Sequence, residues 1–237
     1  TYPNDPSGAV FCSASVFTRT AWTLMLTKSP RRTTSFNCSP GEFSVLIVAA
    51  VTCHLKGGKP MKVKVFIATS LDGFIAKKDG DISWLTSATD STDDHGYSAF
   101  MSEIDVILMG RATFEKVLSF GIDWPYPIKT IVLSHQLSSA DLPPELQDKV
   151  EIRQGAMVDI LHQLKQQGYK AVYLDGGNII QQSLRHNLVD ELTLTRIPVL
   201  IGEGIPLFGT LAADLKPQHL ETRVYQSGFV QSRYSGK

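Results

Sequence analysis

Residues 61–237 predict an α/β fold: a central, mostly parallel mixed sheet with helices on both faces, closed by a C-terminal antiparallel hairpin. Three observations carry this. Short apolar, β-branched runs such as "KVKVFIA", "DVILMG" and "KTIVLS" recur along the chain. Segments of helical periodicity separate them, and the last pattern, "TRVYQSGFVQSRY", alternates about Ser227-Gly228. Strands alternating with helices demand crossovers and a sheet covered on both faces, whereas alternation about a Ser-Gly turn makes a hairpin.

The elements follow in order. "KVKVFIA" (62–68) is a strand, followed by a loop with two turn signals, Asp72-Gly73 and Asp79-Gly80. Residues 92–103 predict a short helix with Asp93 and Asp94 in its first turn, where acidic side chains favour the helix dipole. "DVILMG" is a buried strand and "RATFEKVLS" a helix entered from its glycine; "KTIVLS" and "VEIR" are strands. "MVDILHQLKQQG" is an amphipathic helix that stops at Gly168. "KAVYLDGG" runs from strand into a glycine pair, "NIIQQSLRHN" is a helix, and "VDELTLTRIPVL" is a strand.

Residues 1–60 differ in composition, being rich in Ser, Thr and Pro. Their one apolar run, "FSVLIVAAV", is short for a membrane span, though it could serve as the apolar part of a secretory signal begun at Met25. The regular pattern starts abruptly at Met61, after "KGGKP", which a purine-rich ribosome-binding sequence could encode. We read Met61 as the natural start and residues 1–60 as a non-native or disordered leader. All three cysteines, Cys12, Cys38 and Cys53, fall in that leader without metal-type spacing, so the body suits a reducing cytoplasm. Lysine plus arginine balances aspartate plus glutamate at 23 each, which argues against an extended surface for nucleic acid or anionic lipid. A local pocket for one phosphate group is compatible with that balance.

Three strand ends carry turn residues that could meet at one sheet edge: Gly110-Arg111-Ala112-Thr113, Ser134-His135-Gln136 and Gly176-Gly177-Asn178. Ligands of open α/β sheets bind at the carboxyl ends of the strands. Free N–H groups at two helix starts, with Arg111, Thr113 and Ser134, would make a pyrophosphate cradle. Taken singly, Arg111 is an ordinary surface cation, Ser134 a cap and the glycines a turn. Neither glycine turn is the G-x-G-x-x-G fingerprint. "DGDISWLTSATD" lacks the sixth-position glycine and twelfth-position glutamate of a calcium loop. The six histidines show no metal-ligand spacing, and there is no nucleophile-elbow serine.

"VILMGRATFE" (106–115) resembles the signature of the dihydrofolate reductases. "VFIATSLDGFIAKKDGDISWL", "IVLSHQ", "YLDGG" and "LTLTRI" resemble further segments of that fold in the same order. The likeness is nearer to the reductase domain of riboflavin biosynthesis (RibD C-terminal domain), which shares "GG" before a helix, "LVDEL" and a Pro-x-x-x-Gly-x-Gly-x-x-Leu-Phe segment, here Pro198–Phe208. The resemblance covers residues 61 to about 235. It implies a dihydrofolate-reductase-like three-layer fold and a cytoplasmic, homodimeric reductase using NADPH, with no nucleic-acid or membrane partner.

By the same resemblance, Gly110, Arg111 and Thr113 would hold cofactor phosphates, and Ser134 and His135 would lie near the adenosine 2′-phosphate. Gly176 and Gly177, joined by a cis peptide in the dihydrofolate reductases, would pass beneath the cofactor beside Asn178, and Ala68 and Ile75 would flank the nicotinamide. Counting back from Gly110, the family's substrate-holding carboxylate falls at Asp94; in a closed pocket its pKa would be raised, as a proton donor requires. Adjacent acids at a helix start are more often caps or solvated charge. Thr195 could bind substrate, or simply reflect β-propensity. Trp84 and Tyr97 could line a pocket for a flat heterocycle or merely pack. The deaminase zinc motif that often precedes this reductase is absent. The expected substrate is a pyrimidine or pterin, as for 5-amino-6-(5-phosphoribosylamino)uracil reductase. Dihydrofolate or dihydropterin reduction, and a non-catalytic dinucleotide-binding protein, are the alternatives.

Overall fold

The computed structural model describes residues 60–88 and 93–236, so the proposed leader lies outside the described residues. Ten strands and five α-helices follow one another as β1 (Lys62–Ser70), β2 (Phe74–Ala76), α1 (Ser83–Ala88), α2 (Tyr97–Met101), β3 (Val106–Gly110), α3 (Arg111–Ser119), β4 (Thr130–Leu133), β5 (Val150–Arg153), α4 (Met157–Gln166), β6 (Ala171–Asp175), α5 (Gly177–Arg185), β7 (Glu191–Ile197), β8 (Ile205–Pro206), β9 (Gln218–Val224) and β10 (Val230–Ser235). Eight strands form one sheet in the order β5-β4-β3-β6-β1-β7-β10-β9. The first six are mutually parallel; β10 runs antiparallel to β7, and β9 to β10, as the terminal hairpin predicts.

Period-two patterning sends alternate residues of each strand to opposite faces. Val65, Ile67, Leu108, Leu174 and Leu194 pack with α1, α4 and α5 on one face. Phe66, Ile107, Met109 and Tyr173 pack with α2 and α3 on the other. The central strands are apolar on both sides, which a doubly covered parallel sheet requires. No helix among the described residues is long and apolar enough to cross a membrane.

The structure departs from expectation at several places, and α1 forms in a segment read as a loop. The helix expected over 92–103 is a single turn and a half, Tyr97–Met101, because His95 (φ 51°) and Gly96 (φ 82°) take the left-handed conformation and cannot continue a helix backwards. Asp93 and Asp94 therefore precede α2 instead of forming its first turn. The loop after β1 holds β2, which pairs antiparallel with β8, a contact between segments about 130 residues apart that no local pattern announces. No peptide among the described residues is cis, so the Gly176–Gly177 bond is trans, contrary to the resemblance.

Candidate cofactor groove and active site

The parallel strands end together, and the loops after β3, β4 and β6 converge there on a groove of about 630 Å³. Gly110, Arg111, Thr113, Ser134, His135, Gly176, Gly177 and Asn178 all line it. Two nine-residue helices, α3 and α5, begin at this groove behind Gly110 and Gly176, neither of which supplies a side-chain cap. Neither helix has an acidic residue in its first turn. Uncapped helix starts leave N–H donors and positive partial charge facing the groove, the condition for binding an anion.

Each lining side chain has a local role as well. Ser134 Oγ accepts the N–H groups of Gln136 and Leu137 at 3.0 and 2.9 Å, so it caps its turn while its hydroxyl proton remains available to donate. Arg111 donates to Glu115 Oε1 at 2.8 Å, one helical turn on. His135 and Asn178 are exposed, whereas Thr113 is buried.

The glycine pair permits close approach. Gly176 has φ 102°, and a Cβ there would collide with Thr113 Oγ1. At Gly177 a Cβ would lie 2.5 Å from Ile75 Cδ1. At Gly176 backbone conformation and neighbour together exclude a side chain, whereas at Gly177 a side chain would have to push the end of Ile75 aside. Ile75 is fully buried against Gly177 and Ala68 is half-buried in β1; neither lines the groove itself. Lys78, Asp79, Lys116 and Gly155 line it too, and the sequence did not single them out.

The residues expected on the substrate side are more dispersed. Thr195 pairs in register with Ala68 and is buried; its Oγ1 accepts from Gln231 Nε2 at 2.9 Å, and the same amide donates to the His95 carbonyl at 2.9 Å. Tyr97 is half-buried and meets Phe66 edge-on at 5.6 Å. Trp84 is buried in the apolar core on the opposite face of the sheet, so it does not join Tyr97 around one heterocycle.

The pKa of Asp94 moves in the direction opposite to that expected. Burial pushes its carboxyl up, but hydrogen bonds from the Ser98 hydroxyl, the Ser98 and Gly96 N–H groups and the nearby His95 charge outweigh that, leaving it below its ordinary value. Its Oδ1 accepts Gly96 N–H and its Oδ2 accepts Ser98 N–H, both at 2.9 Å. A carboxylate so held is a cap kept ionised, the opposite of the raised pKa expected of a proton donor.

Sequence reasoning passed over one buried carboxylate, Asp175. It ends β6 immediately before Gly176, is 1 % exposed, and accepts a 2.8 Å hydrogen bond from the Tyr126 hydroxyl, itself buried. Among the described residues it is the carboxylate most fully withdrawn from solvent. The signal was present: an acid closing an otherwise apolar strand, "AVYLD".

Comparison with known proteins bears on this geometry. The sequence model of the RibD C-terminal domain matches residues 61–231. The chain belongs to that family. It is 35% identical to the Bacillus subtilis (strain 168) protein YwjB over 158 residues, 65% of this chain and 87% of that protein. A crystal structure of a Shewanella sp. PV-4 protein named for riboflavin biosynthesis is similar over 75% of this chain and 99% of that one, with 41% identity and a TM-score of 0.71. The fold is shared with dihydrofolate reductase from Enterococcus faecalis, solved with NADP(H), at 18% identity and a TM-score of 0.50 over 73% of this chain and 95% of that one. This chain thus shares the fold of the RibD C-terminal domains and dihydrofolate reductases.

Proposed function

We propose that this chain is an NADPH-dependent reductase that transfers hydride to a pyrimidine or pterin heterocycle, in the manner of 5-amino-6-(5-phosphoribosylamino)uracil reductase. The observation that carries the reading is the groove itself, where two uncapped helix starts and a glycine pair face one elongated space. The donor set fits a dinucleotide: peptide N–H groups and Arg111 suit phosphates, and the bare backbone at Gly176 and Gly177 suits a flat ring lying close.

In this reading Gly110, Arg111 and Thr113 hold phosphate, and Ser134 with His135 holds the adenosine end. Gly176, Gly177 and Asn178 floor the groove, and Ala68 and Ile75 stand at the reactive end. Bound NADPH supplies the hydride. The chain supplies position, dryness and a proton; this reading assigns the proton to Asp175, which precedes Gly176 in the chain and is hydrogen-bonded to the Tyr126 hydroxyl. Thr195 and Tyr97 contact the heterocycle from the α2 face, and Asp94 fixes the turn that carries Tyr97. A cytoplasmic homodimer with no nucleic-acid or membrane partner completes the proposal.

Tryptophan fluorescence quenching by NADPH and NADH, followed by NADPH oxidation across dihydropterin, dihydrofolate and ribosylaminopyrimidine substrates, tests it. Quenching by NADPH with turnover of a pyrimidine or pterin is the expected result. Failure of both nucleotides to bind would remove the reductase reading altogether.

A further inference from the structure

We propose that Lys78 is a ligand of the cofactor pyrophosphate, and that Glu203 is an internal competitor which holds Lys78 when the phosphate is away. The inference rests on the dinucleotide reading of the groove and adds a residue and a regulating contact to it.

The starting point is the Pro198–Phe208 segment, whose glycines the proposed chemistry does not use. Its work is to fasten the loop after β1. The Asp72 carboxylate accepts the N–H groups of Ile201 at 3.1 Å and Gly202 at 2.8 Å, and the Ser70 hydroxyl donates to the same carboxylate at 2.5 Å. Leu71 N–H bonds to the Val199 carbonyl at 2.8 Å, and Leu207 N–H to the Gly73 carbonyl at 3.1 Å. Between these anchors β2 pairs with β8, and Gly204 lies so near the Ala76 carbonyl that any side chain there would collide. A loop tied at this many points has a set course as it leaves Ala76.

That course delivers Lys78 to the groove wall. The next turn is closed by Lys77 N–H to the Asp81 carbonyl at 3.0 Å and Gly80 N–H to the Lys77 carbonyl at 2.9 Å. Lys78 and Asp79, at its tip, line the groove together with Arg111 and Gly177. Lys78 Nζ lies 2.5 Å from Glu203 Oε2, and the two side chains are 67% and 72% exposed. Arg111 is likewise held by Glu115. Two cations facing the groove are therefore neutralised by carboxylates of the same chain. Exposed ion pairs of this kind are weak, so a phosphate group aimed at by two helix starts displaces a single carboxylate readily. Lysine suits the exchange because its flexible stem carries a point charge that can swing between partners.

Position decides which phosphate. Ile75, three residues before Lys78, rests on Gly177 at the start of α5. Ser134 and His135 follow β4, two strands away from β6 in the sheet, or about 10 Å at ordinary strand spacing. The proposal therefore gives Lys78 the α5 end of the groove, where the pyrophosphate would lie, apart from the adenosine 2′-phosphate.

The experiment measures binding of NADPH, NADH and adenosine 2′-monophosphate to the full chain by calorimetry. Lys78→Gln should weaken NADPH and NADH by the same factor, about fivefold, and leave adenosine 2′-monophosphate unchanged. Glu203→Gln should tighten both dinucleotides about threefold, and this gain should vanish in the double variant. Unchanged dinucleotide affinity in Lys78→Gln, a loss confined to NADPH, or a Glu203→Gln gain that survives without Lys78 would each overturn the inference. Should the unaltered chain bind neither dinucleotide, the groove reading itself falls and takes the inference with it. Normal wild-type binding with an indifferent Lys78→Gln sinks the inference alone.

Discussion

Asp94 stands in the half-buried turn before α2, where both of its oxygens accept backbone N–H bonds, whereas Asp175 closes a fully buried strand and accepts from a buried phenol, Tyr126. The first carboxylate is surrounded by donors fixed by its own neighbours in sequence. The second depends on a partner 49 residues away. Local donors stabilise charge and commit an acid to architecture; the buried strand end beside two glycines is where the proposed function puts its proton donor. The residue at the position that counting assigned to catalysis and the residue the fold brings to the glycine floor are therefore different carboxylates.

Exchange of these acids gives the largest expected effect. Asp175→Asn should lower kcat by about 100-fold or more while NADPH affinity holds within about twofold, and Asp94→Asn should change kcat by no more than about threefold. Steady-state kinetics beside NADPH titration checks both; equal losses at the two positions would erase the distinction. Next in size, Gly176→Ala should cost about 2–3 kcal/mol in urea unfolding, since alanine at φ 102° is strained and its Cβ meets Thr113.

A smaller effect belongs to the cap. Asp94→Ala should cost about 1 kcal/mol at pH 7. The folded pKa of Asp94 lies below its ordinary value of 3.8, so its contribution is fully present above that pH and is lost as pH falls through the folded pKa. The difference between Asp94→Ala and the unaltered chain should accordingly shrink in unfolding curves recorded below pH 3.8. An undiminished difference in acid would show that the side chain acts by packing. Smallest of all, His135→Ala should weaken NADPH about threefold and leave NADH unchanged. That ratio separates the adenosine end of the groove from the end Lys78 serves.

Much of this was legible because it is local. The short apolar runs of β3, β4 and β6 bury on both faces, as a doubly covered parallel sheet requires, and a helix starts at once behind two of them. Gly110-Arg111 and Gly176-Gly177 could therefore be assigned to one edge from the chain alone. Beyond reach were β2 and β8, too short for a period to register and formed only against each other. The brevity of α2 was equally hidden, since His95 enters the left-handed region under contacts with Tyr225 and Phe229 from the far hairpin. Lys78 lines the groove only because Asp72 and Gly204 fasten its loop to a segment well over a hundred residues later.

By itself the sequence determined the order of the main strands and helices, the two apolar faces of the sheet and the three loops that end at its open edge, because each follows from side-chain period and turn chemistry within about ten residues. Only the tertiary structure decided which carboxylate is buried at a strand end beside the glycine pair, and which lysine reaches the groove. Those properties depend on solvent exclusion and on donors brought from distant parts of the chain, and neither exists before the sheet has closed.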